Sequence, residues 1–206
     1  MSLLRNHLIP RTFRADGLYP ERVFTRTISF RVLCHAAIEQ YFEDRVIEVA
    51  TTASRACLEH RVLSRSATSL VAFSTVDFSA PPDTLSPPNE NHASRWPEVV
   101  DIRERVRKAA SVFIADVKNQ NHGIREKNLM RMLLPVGLER SEIDPAVVTE
   151  LDEYGKTRGQ FAHSNVKNHV THRPNPKHEW EKAKYLSAAI RSFDLAFDSL
   201  LIDCQR

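Results

Sequence analysis

An arginine and a histidine, Arg158 and His163, are the two side chains of this sequence whose types and spacing best fit a chemical role. The imidazole of His changes its charge near neutral pH, with an ordinary pKa of about 6.5, and therefore moves protons. The guanidinium of Arg stays positive and stabilises negative charge that develops on a phosphate. RNA carries its own nucleophile, the ribose 2′-OH, so these two groups fit metal-independent RNA cleavage that leaves a 2′,3′-cyclic phosphate and a 5′-OH. By residue type alone, an Arg and a His near a helix end more often form a cap or an ion pair.

The surroundings of this pair are positively charged. The stretch from Tyr154 to His178 contains no Asp or Glu, although Glu153 lies just before it and Glu179 just after it. The whole chain has a formal net charge of only +3, so this clustering creates a local positive field that attracts polyanions. We predict that the phosphates of a bound RNA contact four of the cations in this stretch, Lys156, Lys167, Arg173 and Lys177.

A helix is predicted to position the pair. Arg158 belongs to a seam of positions that recur at steps of four and three residues, Val147, Leu151, Tyr154, Arg158 and Phe161. Residues 141–144 are expected to cap this helix, with Pro145 in its first turn. On a regular helix Arg158 and His163 lie about 140° apart. To reach one substrate they need a helix that ends or distorts near Ser164, or a second copy of the same helix alongside.

Other segments also have helical spacing. A long helix is predicted from Glu21 toward Leu58, a short apolar segment at residues 68–78, and helices at residues 96–121 and 128–134. The apolar face of the long helix is expected at Phe30, Leu33, Cys34, Ala37, Ile38 and Tyr41. A final helix is expected to bury Leu186, Ile190, Phe193, Phe197, Leu200 and Cys204.

The sequence predicts one domain. Five of the 11 prolines lie within or at the edge of residues 79–97, which predicts a long surface loop inside a domain that covers residues 21–206. Residues 1–20 have no period and are expected to form an N-terminal arm. A hydrophobic fraction of 42% with only 5 Gly is typical of a soluble helical protein and disfavours β-rich and disordered classes.

The cysteines and the hydropathy pattern indicate a cytoplasmic protein. The three cysteines are widely separated and odd in number, which favours buried thiols over a disulfide framework or a Cys-rich metal site. No window approaches the roughly 18 apolar residues that a membrane-spanning helix needs. We therefore expect no membrane association and a reducing compartment.

The segment ELDEYGKTRGQFAHSN resembles the signature helix of the HEPN superfamily (higher eukaryotes and prokaryotes nucleotide-binding), which carries Arg-x4–6-His near the end of a late helix. The segment FRVLCHAAIEQYFEDRV is similar to the early helix of the RiboL-PSP-HEPN branch. Together the likeness extends from about Arg26 to the C-terminus. It implies a HEPN-like all-α bundle of about five to six helices that dimerises through the motif helix, where Gly155 and Gly159 would let two backbones approach closely.

The resemblance also implies a function. Arg158 and His163 would be the catalytic residues of an endoribonuclease, a hydrolase that cleaves single-stranded RNA without a metal or cofactor. Supporting roles would fall to Glu39, Lys156, Ser164 and Asn165. Such proteins are toxins of toxin–antitoxin systems or effectors of antiviral defence, so the expected partners are the RNA substrate, a second copy of the chain and an antitoxin or regulatory subunit.

Two alternatives remain open. Many active members carry a polar residue directly after the motif Arg, whereas this chain has Gly159; that departure favours a catalytically silent HEPN-like module that binds nucleic acid or a partner. Zinc binding is a second alternative, through His163, His169, His172 and His178, although no Cys or paired carboxylate accompanies them. Tyr154 and Phe161 fit stacking on unpaired bases, but aromatic residues on a helix seam more often belong to a core.

Overall fold

The computed structural model of the chain describes residues 2–74, 84–87, 89–94, 96–163 and 173–205; for residues 91, 92, 99 and 157–163 it describes the backbone alone. These ranges contain helices and no β-strand, which confirms the predicted all-α class. In chain order the helices are α1 (Ser2–Leu8), α2 (Glu21–His60), α3 (Arg65–Ser74), α4 (Glu90–Ala93), α5 (Pro97–Val100), α6 (Ile102–Gln120), α7 (Glu126–Leu133), α8 (Pro145–His163), α9 (Pro176–Ala189) and α10 (Arg191–Asp203).

Within the described ranges, seven helices have eight or more residues, against the five to six that the sequence predicts. The additional helix arises at the C-terminus, where α9 and α10 replace one predicted final helix and Ile190 separates them. The predicted apolar seam is nevertheless correct, because all six of its residues are buried: Leu186, Ile190, Phe193, Phe197, Leu200 and Cys204.

The chain divides into two compact units. Unit 1 comprises Met1–Tyr41, His122–Leu129 and Asp144–Ser192, and unit 2 comprises Phe42–Asn121, Met130–Ile143 and Phe193–Arg206. The boundary between the first segments of the two units falls within α2. The predicted boundaries of an arm at residues 1–20 and a single domain at residues 21–206 stay a prediction.

In unit 1, the buried face of α2 is more polar than predicted. Burial of Phe30, Cys34 and Ile38 agrees with the predicted face, but Leu33 is 46% exposed and Ala37 is also exposed. Their places in the interior are taken by residues that include Phe24, Thr27 and His35. The prediction followed apolar residues alone and was wrong at Leu33 and Ala37. Polar side chains at four-residue spacing are buried instead, because they form polar contacts inside unit 1.

Helices α8 and α9 pack together in unit 1. The predicted start of α8 is correct: Pro145 is its first residue, and the Asp144 side chain accepts a hydrogen bond from the backbone N–H of Ala146 at 2.8 Å. Helix α9 begins in the same way, with Asn175 accepting from the Lys177 backbone N–H and Pro176 in the first turn.

The predicted N-terminal arm contains α1 and is attached to unit 1. Ile9 is buried, and the guanidinium of Arg5 lies over two aromatic rings, 5.2 Å from the centroid of Phe13 and 5.4 Å from that of Trp180. These contacts anchor the arm against α9 through apolar and cation–π interactions.

Unit 2 is built on the second half of α2. Phe42 meets Phe193 edge to face, with ring centroids 5.2 Å apart, and α3 packs on α6. The predicted helix over residues 96–121 is interrupted at Asp101, because the Asp101 side chain caps α6 by accepting from the Arg103 backbone N–H. The predicted loop over residues 79–97 likewise includes one helical turn, α4, among its described residues.

Candidate functional site

The Arg-x4-His motif lies on α8. The backbone of this helix runs from Pro145 through His163, so Arg158 and His163 both belong to its last two turns. Their side chains are not among those described, and the predicted supporting residues Ser164 and Asn165 lie outside the described residues, as does Lys167.

The turn before the motif is anchored in the interior of unit 1. Val147, Leu151 and Tyr154 are buried, as the seam predicts, and Tyr154 is only 1% exposed. Its hydroxyl donates a hydrogen bond to the backbone carbonyl of Arg31 at 3.3 Å, and its ring stacks on His35 with centroids 6.5 Å apart. Tyr154 is therefore a core residue and does not present its ring to an unpaired base; Phe161 has no described side chain.

A row of polar side chains on α2 forms the other side of this contact. Arg31, His35 and Glu39 follow one another at four-residue steps and therefore share one helix face. The Glu39 carboxylate lies 3.6 Å from Nδ1 of the His35 imidazole, and its side chain is 15% exposed. Glu39, a predicted supporting residue, thus lies in a polar cluster that also contacts the motif helix through His35 and Tyr154.

Glu179 of α9 completes this cluster. Its Oε1 atom accepts a hydrogen bond from Nη1 of Arg31 at 2.7 Å, and the two side chains are only 7% and 11% exposed. The guanidinium of Arg31 also lies 4.7 Å from the centroid of the Tyr154 ring. We name the three residues Arg31, Tyr154 and Glu179 the α2–α8–α9 clamp, because each belongs to a different helix of unit 1.

Sequence reasoning did not find this clamp. The four-residue recurrence of polar residues on α2, from Thr27 through Arg31 and His35 to Glu39, was the available signal, but it was hidden among the apolar residues of the same helix. Glu179 appeared only as the residue that closes the acid-free stretch. Its role depends on the pairing of distant segments, which the sequence does not reveal.

Burial changes the titration of several groups around the clamp. Burial raises the pKa of the Cys34 thiol to about 12, with the nearby negative charge of Glu179 adding to the effect. Burial also raises the pKa of the Tyr154 hydroxyl. The pKa of Lys182 is lowered by burial and by the positive charge of Arg31, while its ammonium pairs with Glu150 of α8. In each of these three environments, burial disfavours the ionised form of the group.

The described cations predicted to hold RNA already have partners inside the chain. The Lys156 ammonium lies 2.9 Å from a carboxylate oxygen of Asp152 and 2.7 Å from one of Glu153. Arg173 lies 3.6 Å from Glu21 and over the Phe24 ring, and Lys177 lies 3.9 Å from Glu181. All of these side chains are on the surface, where an ion pair is weak and a phosphate competes with it.

Gly155 has a packing role within the chain. A Cβ atom at this position would lie 3.1 Å from Cγ of Arg125 and 3.6 Å from Cγ1 of Ile124. The segment before α7 thus lies against Gly155. This contact explains a glycine at position 155 without a second copy of the chain. Gly159 has no described side-chain environment, and dimerisation through α8 stays a prediction.

No metal site is formed by the described part of the chain, where no group of three or more His, Cys, Asp or Glu side chains is placed to hold an ion. Of the four histidines considered for zinc, His178 is exposed near the start of α9, and the others lie outside the described side chains. Among the helices that are described, none has the length and apolarity to cross a membrane.

Comparison with known proteins identifies no relative: no family model matches the chain, and neither does any curated protein or solved structure. The likeness to the HEPN superfamily therefore depends on the residues quoted from α2 and α8.

Proposed function

We propose that this chain is a metal-independent endoribonuclease of the HEPN type that cleaves single-stranded RNA. The observation that carries the proposal is the position of Arg158 and His163 in the last two turns of one continuous helix, α8, in a chain whose described residues form helices and no β-strand. In this role His163 transfers protons at the ribose 2′-OH and the leaving 5′-oxygen, and Arg158 stabilises the negative charge of the crowded phosphorane.

The helical backbone favours a site shared by two copies. Because α8 continues through His163, the positions of Arg158 and His163 lie about 140° apart around the helix. One imidazole also does not easily act as both the base and the acid of the same cleavage. A homodimer that pairs two α8 helices supplies two Arg and two His to one cleft and meets both requirements.

Positive charge beside the motif supports binding of the RNA strand. Lys156, Arg173 and Lys177 are exposed on unit 1, and Lys167 belongs to the same acid-free stretch. Contacts from such cations to phosphates are independent of base sequence and weaken as salt rises. We assign Glu39, Ser164 and Asn165 to supporting roles around the motif.

The biological setting follows from the resemblance. An endoribonuclease of this kind acts in the cytoplasm as a toxin or phage-defence effector, and its activity stops growth unless an antitoxin or a regulatory subunit restrains it. The RNA substrate and that regulator are the partners that we propose.

RNA cleavage by the purified protein tests the proposal. We expect the wild-type chain to cut end-labelled single-stranded RNA in the presence of EDTA, with 2′,3′-cyclic phosphate and 5′-OH products. His163→Ala and Arg158→Ala should each lower the rate by about 100-fold or more. His178→Ala and Arg140→Ala are matched controls at exposed positions outside the motif and should cleave like the wild type.

Two outcomes would contradict the assignment. Cleavage that persists in folded His163→Ala protein would identify a contaminating nuclease. Binding of RNA by the wild type without cleavage would favour the catalytically silent HEPN-like module, for which the local pairing of Lys156 with Asp152 and Glu153 and the presence of Gly159 are the supporting features.

A further inference from the structure

Contacts around Tyr154 connect α8 to α2. The Tyr154 ring has two neighbours on α2: the guanidinium of Arg31 lies 4.7 Å from its centroid, and the His35 imidazole lies nearly parallel to it, at an interplanar angle of 16° with centroids 6.5 Å apart. The hydroxyl of Tyr154 is tied to the Arg31 carbonyl at 3.3 Å. A buried ring with these two neighbours and a hydrogen bond at its hydroxyl restricts the rotation of α8 about its own axis.

Arg31 is held in turn from α9. Nη1 of its guanidinium donates to Oε1 of Glu179 at 2.7 Å, with both side chains nearly excluded from water. The other carboxylate oxygen, Oε2 of Glu179, is buried and has no hydrogen-bond partner among the described residues. The clamp therefore contains a charged pair whose hydrogen-bonding capacity is incompletely used.

Such a pair is a poor device for stability alone. Removing two charges from water costs several kcal/mol per ion, and apolar residues of similar volume often stabilise a fold as well or better. An unsatisfied buried oxygen adds about 1–3 kcal/mol to that cost. The pair instead orients a side chain: its short charged hydrogen bond defines the position of the Arg31 guanidinium over the Tyr154 ring.

A second contact lies in the same row of α8. Glu150 pairs with Lys182 of α9, and Glu150, Tyr154 and Arg158 follow one another at four-residue steps along α8. The first two positions of this row are thus held by α9, directly or through Arg31, and the third is a motif residue. A helix has a fixed rotation and rise per residue, so fixing the first two positions sets the direction of the backbone at the third.

We infer that Arg31 and Glu179 are positioning residues: through Tyr154 they set the rotation of the α8 turns that carry Arg158 and His163. They are assigned a positioning role and not a catalytic one. The link to RNA cleavage rests on the proposed function, whereas the link to the conformation of α8 does not.

Hydrogen–deuterium exchange of the full-length protein tests the conformational part. We expect Glu179→Gln to raise the exchange rate of backbone amides at residues 155–163 by about 10-fold or more, with little change at residues 145–151 or in α6 of unit 2. Glu179→Asp should restore most of the protection. Glu181→Gln is the matched control, because Glu181 lies on the same helix with a side chain that is 57% exposed.

RNA cleavage by the same variants tests the functional part. Glu179→Gln should lower kcat by about 10-fold to 100-fold with KM nearly unchanged, and Glu179→Asp should recover much of kcat, because displacement of a reacting group has effects of this size. If the wild type does not cleave RNA, the proposed function fails, but the exchange rates at residues 155–163 still decide the positioning inference.

A uniform rise in exchange over the whole chain would identify Glu179 as a general stability residue and would overturn the inference. Unchanged exchange and unchanged kcat in Glu179→Gln would do the same. If that variant does not fold, Tyr154→Phe keeps the ring and removes only the hydroxyl bond to Arg31; we expect a smaller rise, about 3-fold, confined to the same residues.

Discussion

At the scale of single residues, the interior of unit 1 places an ion pair beside two buried groups whose ionisation it disfavours. Arg31 and Glu179 form an ion pair there, whereas Cys34 and Tyr154 are buried beside them. The pKa of the Cys34 thiol is raised to about 12 by burial, and burial also raises the pKa of Tyr154. The folded state therefore disfavours ionisation of both side chains.

This raised pKa predicts a loss of stability at alkaline pH. A Cys34 thiol in the unfolded chain ionises near its ordinary pKa of 9.0, while the folded thiol ionises at about 12. Its contribution is therefore complete below about pH 9 and is lost progressively as the pH rises toward 12, by up to about 1.4 kcal/mol per pH unit. Tyr154 should add to this loss at slightly higher pH.

Urea unfolding at a series of pH values between about 7 and 11 measures the effect. We expect the free energy of unfolding of Cys34→Ala to fall less steeply above about pH 9 than that of the wild type, whatever its value at neutral pH. Parallel curves for the two proteins would show that Cys34 is not held neutral by the fold. The Cys34 thiol should also resist alkylation in native protein and react after unfolding.

At the scale of elements, a glycine lets the chain approach the polar face of α2. Gly123 has a φ of +133°, a backbone conformation that L side chains rarely adopt, and a Cβ there would lie 3.7 Å from Cε1 of His35. A distance of 3.7 Å is an ordinary van der Waals contact. The requirement for glycine at position 123 therefore comes from the backbone conformation rather than from crowding.

We therefore expect Gly123→Ala to lower the free energy of unfolding by about 1–3 kcal/mol. Gly17→Ala is a matched control: Gly17 also has a positive φ, +65°, but in the left-handed helical region and with open space around it. The control should lower stability by a smaller amount, about 1 kcal/mol, the lower end of the cost of an L side chain in that region. Equal effects of the two substitutions in urea titrations would contradict the argument from backbone conformation.

Prediction from the sequence worked best where one periodic pattern dominates an element. The seam Val147, Leu151 and Tyr154 and the start of α8 at Pro145 are as predicted, because apolar spacing and a capping residue act within the same segment. The break at Asp101 was missed, since Asp101 caps a helix from inside an otherwise helical pattern. The preference of Asp for a helix N-cap outweighed the continuous helical pattern at this position.

The candidate site was predictable only in part. Arg158 and His163 were identified by type and spacing, and the helix on which they lie is confirmed. The clamp was not predicted, since Arg31 and Glu179 are 148 residues apart and a buried ion pair has no periodic signature. The close approach of two copies at Gly155 stays a prediction; within the chain the neighbours of Gly155 are Arg125 and Ile124.

At the scale of the whole molecule, the described residues around the motif belong to one of the two units. Helix α8, the polar row of α2 and the clamp residue Glu179 all lie in the segments of unit 1. If two copies build one cleft as we propose, unit 1 supplies the pairing surface and both motif residues, and a complete site requires two chains.

Mixing two inactive variants tests this requirement. A homodimer of Arg158→Ala retains two copies of His163 and no motif Arg, and a homodimer of His163→Ala retains two copies of Arg158 and no motif His. Unfolding and refolding the two variants together produces mixed dimers that keep one of each. We expect the mixture to recover RNA cleavage only in part, to about 10-fold above either variant alone and below the wild type, because one Arg and one His then meet at one phosphate while the second His is missing.

The recovered rate should follow the fraction of mixed dimer, measured by differential tagging and pull-down, while light scattering gives the mass of the assembly. Mixing His163→Ala with itself under the same refolding procedure is the control for renaturation. A chain that is active and remains a monomer of 23.6 kDa would mean that each chain builds its own site. In that case Arg158 and His163 of one protomer would have to reach the same phosphate from positions about 140° apart on α8.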